Sequence, residues 1–83
     1  MKTANVGIST NNYILGDDGR YVATVLAESH GLGTNVFVDK ALHRNDDLTF
    51  ENVLLSYVVD IDGNVKVYAS EPISLRLTIA TDF

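Results

Sequence analysis

From Val53 to the end of this 83-residue chain, apolar and polar residues alternate around an Asp-Gly turn, and few architectures accept that pattern. Val53 to Ile61 is rich in strand-forming residues, Asp62-Gly63-Asn64 is turn material, and Val65-Lys66-Val67-Tyr68-Ala69 returns as a second run. After Ser70-Glu71-Pro72, Ile73, Leu75, Leu77 and Ile79 fall on one side of a final run, with Ser74, Arg76, Thr78 and Ala80 on the other. Period-two alternation on both sides of an Asp-Gly turn specifies antiparallel β structure.

The upstream chain continues in the same style. Residues 3–9 suggest a short strand, and Thr10-Asn11-Asn12 a polar turn. Tyr13-Ile14-Leu15, Gly16-Asp17-Asp18-Gly19 and Arg20 to Ala27 read as a first hairpin, its glycines supplying the positive φ such loops need. Tyr21, Ala23 and Val25 oppose Val22, Thr24 and Leu26, so both faces of that strand are fairly apolar. Glu28 to Thr34 reads as a glycine-containing loop, Asn35 to Leu42 as a strand, and His43 to Asp47 as an exposed loop.

Residues 48–60 support two readings. Thr49, Asn52, Ser56 and Asp60 recur at helical spacing, with Asp47 available as an N-cap. The Val-Val pair, the aromatic residue and the turn that follows favour a strand over residues 52–61. The expected fold is therefore all-β: one domain over residues 1–83, a small antiparallel sandwich or partly open barrel of about six strands built from hairpins. An α+β fold with one short helix near residues 46–57 is the alternative. The expected core is Val22, Val25, Leu26, Val36, Val38, Val53, Leu55, Tyr57, Val67, Leu75, Leu77 and Ile79.

A chain of this size buries roughly 60–65% of its unfolded surface, so its core is thin, and oligomerisation is a common supplement. The absence of cysteine removes disulfides, thiol catalysis and thiolate metal sites. Eleven acids against six bases give a formal charge of −5, and only Lys40 and Arg44 among the bases lie close in sequence. No basic stripe is visible, which argues against nucleic acid. Met1 to Ile8 lacks the apolar stretch of a signal peptide, and no run approaches the ~20 apolar residues of a membrane span. A cytoplasmic or virion-associated protein, with no membrane partner, is the expectation.

No chemistry-bearing motif survives inspection. Asp60-Ile61-Asp62-Gly63-Asn64 spaces its oxygens like a calcium loop, with Glu71 twelfth from Asp60. Such a loop needs glycine sixth, where Val65 stands, and should lead into a helix rather than an alternating strand. Asp17-Asp18 and Asp46-Asp47 read as solvated turn carboxylates rather than an acid–base pair. His30 and His43 read as surface residues without metal-ligand spacing, and Ser29, His30 and Asp39 form no recognisable triad. Gly31-Leu32-Gly33 precedes a strand, so it lacks the helix a phosphate loop requires. The four tyrosines, Tyr13, Tyr21, Tyr57 and Tyr68, suit a sheet face or a partner contact.

These readings point away from an enzyme and from any cofactor or metal, towards a non-catalytic protein-binding or self-assembling module. Its general character is that of small viral or mobile-element proteins. Residues 73–82 would extend roughly 33 Å as a strand. At a sheet edge, Ile73, Leu75, Arg76, Leu77, Thr78, Ile79 and Asp82 would pair with a partner or with a second copy. One alternative is an acidic inhibitor that presents Asp17, Asp18, Asp46, Asp47, Asp60 and Asp62 to a basic surface of a host protein, which requires those acids to converge. Another is a small module that binds a divalent metal.

Overall fold

The computed structural model describes residues 2–53 and 56–81. Within them, eight strands form two antiparallel four-stranded sheets. Sheet I comprises β1 (Lys2–Ile8), β8 (Leu75–Thr81), β4 (Phe37–Arg44) and β5 (Phe50–Asn52), in that spatial order. Sheet II comprises β2 (Tyr13–Leu15), β3 (Tyr21–Val25), β7 (Val65–Ala69) and β6 (Ser56–Val59). The all-β reading holds, with eight short strands in place of about six. A 3₁₀ turn at Thr10–Asn12 joins β1 to β2 and carries the chain from one sheet to the other.

The core lies between the inner faces of the two sheets. Ile8, Ala41, Leu75, Leu77 and Ile79 from sheet I meet Tyr13, Ala23, Val25, Val65 and Val67 from sheet II. Val65, Val67, Leu77 and Ile79 are fully buried. Side chains of this size stabilise a fold by about 1.5–3 kcal/mol each when removed from water. Of the expected core, Val25, Val36, Val67, Leu75, Leu77 and Ile79 are buried, while Val22, Val38, Val53 and Tyr57 are half-buried. Leu26 is a correction: it precedes a helical turn and is exposed. Leu55 lies outside the described residues. Burial pushes the Tyr13 hydroxyl above the usual tyrosine range, and the neighbouring Ile73 backbone only partly offsets this. Among the described residues that hydroxyl has no partner in hydrogen-bonding geometry.

The run after Phe50 explains its own ambiguity. β5 pairs with β4 in sheet I, whereas β6 pairs with β7 in sheet II, so the chain changes sheets between Asn52 and Ser56. One apolar run thus serves two strands with different neighbours, and its periodicity matches neither template. The helix considered for residues 46–57 does not form in the described part. A four-residue helix, α1 (Ala27–His30), occurs instead where a loop was expected. Gly31 closes it in the left-handed region, its N–H donating to the Ala27 carbonyl. One turn is too short to leave a 3.6-residue pattern. The strand expected over residues 35–42 runs from Phe37 to Arg44, so His43 and Arg44 belong to the sheet rather than to a loop.

The terminal strand corrects the edge-strand expectation. β8 pairs with β1 on one side, from Ile8↔Leu75 to Lys2↔Thr81, and with β4 on the other. Its backbone groups are already committed to two neighbours, so it offers no template to a further chain. Leu75, Leu77 and Ile79 face the core, and Thr78 donates a hydroxyl hydrogen bond to Asn5 Oδ1 across the sheet. Position at the chain end did not make it an edge, because order in sequence is not order in space.

Candidate functional site

Residues directly opposite in antiparallel strands share a face, so the register shows what sheet I presents outward. Gly7, Arg76, Leu42 and Asn52 stand in one row across its four strands. Asn5, Thr78 and Lys40 form the next row, and Arg44 stands opposite Phe50. Three of the six bases, Lys40, Arg44 and Arg76, therefore share one face. None of the outward-facing paired residues is acidic; Asp39 sits at the bulge in β4, and Glu51 falls in the opposite parity. Arg76 and Arg44 were far apart in sequence, which hid the patch.

This face is concave. Gly7, Leu42, Arg44, Phe50, Ser74 and Arg76 line a groove of about 330 Å³, and Gly7 and Arg76 also border a second hollow of about 350 Å³. A Cβ built on Gly7 meets nothing within 4 Å, so the missing side chain is what opens the notch. The Arg76 guanidinium lies 5.7 Å from the Phe50 ring centroid, a long cation–π contact that holds the arginine over apolar surface. No ion pair engages Arg44 or Arg76 among the described residues. Phe50 is about half exposed, and Leu42 is half-buried beside it. Such a surface suits a carboxylate next to an apolar group.

A second surface lies at the hairpin turn between β6 and β7. The Asp60 N–H donates to the Asn64 carbonyl and the Gly63 N–H to the Asp60 carbonyl, both at 3.0 Å. The Asp60 carboxylate accepts from the Asp62 and Asn64 backbone N–H groups and from the Asn64 side chain. These donors, the Asn64 side chain foremost, hold it below the usual carboxylate range. The turn is also fastened from behind. Asn64 Oδ1 accepts from the Ala27 N–H at 2.8 Å, and His30 Nε2 donates to the Gly63 carbonyl at 2.7 Å while its Nδ1 accepts from the Leu32 N–H. On this rigid base stands Ile61, 91% exposed, beside the exposed carboxylate of Asp62.

The sequence-derived candidates fall elsewhere or apart. Ile73, Leu75, Leu77 and Ile79 pack in or against the core, Thr78 is half-buried, and only Arg76 of that set is exposed in the groove; Asp82 lies outside the described residues. Asp17-Asp18 and Asp60-Asp62 occupy opposite ends of sheet II, since Tyr21 pairs with Ala69 and Val25 with Val65. Asp46-Asp47 belongs to the turn of sheet I. The six acids therefore do not converge. Asp18 is held down by the Arg20 backbone N–H and side chain, and Asp47 by the Thr49 hydroxyl and N–H. Among the described residues no three His, Asp or Glu side chains group as metal ligands. His30 is buried rather than on the surface, with both ring nitrogens given to backbone, and His43 Nδ1 donates to the Ser74 carbonyl at 2.8 Å.

Compared with known proteins, the chain matches no family model, no curated protein and no solved structure.

Proposed function

We propose that this protein is a non-catalytic protein-binding module that engages an acidic partner through the outer face of sheet I. The observation that carries this reading is that Lys40, Arg44 and Arg76 share one face, with Arg44 and Arg76 lining a groove beside Leu42 and Phe50. On a chain of net charge −5, a face whose paired outward positions carry bases and no acid is a local reversal that general solubility does not explain. The groove is at the small end for ligand pockets, so it fits one or two side chains better than a large cofactor. A polyanion long enough to track the face would also meet Asp46-Asp47 in the β4–β5 turn of the same sheet, which favours a protein carboxylate over nucleic acid.

The direct test is affinity capture from the native host with the wild-type chain and an Arg44→Glu/Arg76→Glu variant, after thermal melts have matched their folds. The expected result is an acidic protein retained by the wild type, released at about 0.5 M salt, and lost with the variant. A partner held equally by both chains would overturn the reading. So would tight wild-type binding to a single-stranded oligonucleotide at about 0.15 M salt.

A further inference from the structure

We infer that the groove receives the β6–β7 turn of a second copy of this chain, Ile61 entering the apolar notch and Asp62 meeting Arg44 and Arg76. This rests on the binding surface proposed above and names its occupant. Three observations point to a second copy.

The two surfaces are complementary in kind. The groove offers apolar area flanked by two arginines without ion-pair partners among the described residues. The turn offers the most exposed of the large apolar side chains, flanked by a carboxylate that no intrachain donor engages among the described residues. Apolar contact with an opposite charge at its rim is how specific docking is built.

The turn is also held more firmly than a hairpin needs. Hairpin tips are normally small or polar, yet here an isoleucine is carried on a turn fixed by Asn64, His30 and the close packing of Gly63 on Gly33. A rigid projection loses little conformational entropy on docking.

Finally, the two surfaces cannot meet within one chain. The groove opens on the face of sheet I that points away from sheet II, and the turn belongs to sheet II. Contact between different patches on identical chains is heterologous, so each chain offers one groove and one projection. The thin core of so small a domain gives such association a further use.

Sedimentation of the wild type and two variants tests this. Ile61→Ser/Asp62→Ser removes the projection at exposed side chains, and Gly7→Leu fills the notch where a new side chain meets open space. Small interfaces of this type give dissociation constants of about 10 μM to 1 mM. The wild type should therefore associate reversibly below about 1 mM, several-fold more weakly in about 0.5 M than in about 0.05 M salt. Each variant alone should be at least about tenfold weaker. An equimolar mixture should form a one-to-one complex, because one variant keeps the groove and the other keeps the projection.

A monomeric wild type at about 1 mM overturns the inference. So does association that persists in either variant, or a mixture that fails to pair. If self-association is absent but Arg44→Glu/Arg76→Glu still loses a captured acidic protein, only the second-copy assignment falls. If that double variant changes neither property, the binding surface falls with it.

Discussion

Two hairpin turns in this protein begin from nearly the same chemistry and are held in different ways. In the β2–β3 turn the Gly16 N–H donates to the Arg20 carbonyl and the Gly19 N–H to the Gly16 carbonyl, and Gly19 has φ +81°. In the β6–β7 turn Asp60, Gly63 and Asn64 repeat that pattern, with Gly63 at φ +87°. The first is fastened only by neighbours at the surface: Asp18 pairs with Arg20, whose guanidinium stacks 4.4 Å from the Tyr68 ring centroid in the same sheet. The second is fastened across the chain to α1 and the loop after it. Turn chemistry alone builds a hairpin. What distinguishes the β6–β7 turn is its bracing by Ala27, His30 and Gly33, and that bracing is what the proposed contact relies on.

The largest expected difference lies in the two glycines. A Cβ on Gly63 would lie 2.5 Å from the Gly33 carbonyl oxygen and 3.1 Å from Thr34 Cα, whereas on Gly19 it meets nothing within 4 Å. Gly63→Ala should cost about 2–4 kcal/mol, combining a left-handed conformation with a backbone collision. Gly19→Ala should cost about 1–2 kcal/mol from conformation alone. Urea unfolding of both variants measures the gap, and equal costs would mean that Gly63 is not packed as described.

The brace itself comes next. His30→Ala removes a buried side chain and leaves the Gly63 carbonyl and the Leu32 N–H without partners. The expected loss is about 2–3 kcal/mol. Arg20→Ala in the other turn removes one exposed ion pair and the stacking on Tyr68, and should cost clearly less than His30→Ala. Thermal melts of the two variants should differ accordingly. Equal losses would make the two turns alike.

A third turn sharpens the comparison further. Between β4 and β5 the Asn45 N–H donates to the Thr49 carbonyl and the Leu48 N–H to the Asn45 carbonyl, so the same geometry recurs with a leucine at φ +71°. Leu48→Gly should relieve that strain and stabilise the fold by up to about 1 kcal/mol, read as a raised melting temperature. Such a gain would show that this turn, exposed at Leu48, tolerates what Gly63 does not.

The smallest effect is acid sensitivity. Asp18, Asp47 and Asp60 each titrate below the usual carboxylate range because N–H and hydroxyl donors favour the charged form. A depressed folded pKa contributes stability above the unfolded value, about pH 4, and that contribution fades as pH falls through the folded values. Asp60→Asn should therefore lower the melting temperature at pH 7 and converge on the wild type as pH falls below the usual carboxylate range. A difference independent of pH would assign the loss to shape rather than charge.

Hairpins, turn positions and the inward side of the terminal strand were legible in the sequence, because alternation and turn residues act locally. Leu75, Leu77 and Ile79 are buried as their spacing implies. What local pattern could not express was adjacency. Nothing in Ile73 to Asp82 reveals that β1 and β4 flank it, so its last position in the chain misleadingly suggested a free edge. The groove was hidden for the same reason: Gly7, Arg44, Phe50 and Arg76 come from four strands and only the register unites them. His30 reads as a loop residue because its partner, the Gly63 carbonyl, is 33 positions away. Ile61 was the signal that could have been caught, an apolar residue at the tip of an otherwise polar turn.

In the proposed assembly the outer face of sheet I and the braced turn are one contact seen from two copies. Backbone amide shifts recorded from about 0.02 to 1 mM protein test it most directly, a range that brackets the expected affinity. Concentration-dependent shifts are expected at Gly7, Leu42, Arg44, Phe50 and Arg76 together with Ile61 and Asp62, all following one binding curve. Shifts confined to the outer edges of β1 or β2, or a spectrum unchanged across the range, would contradict it.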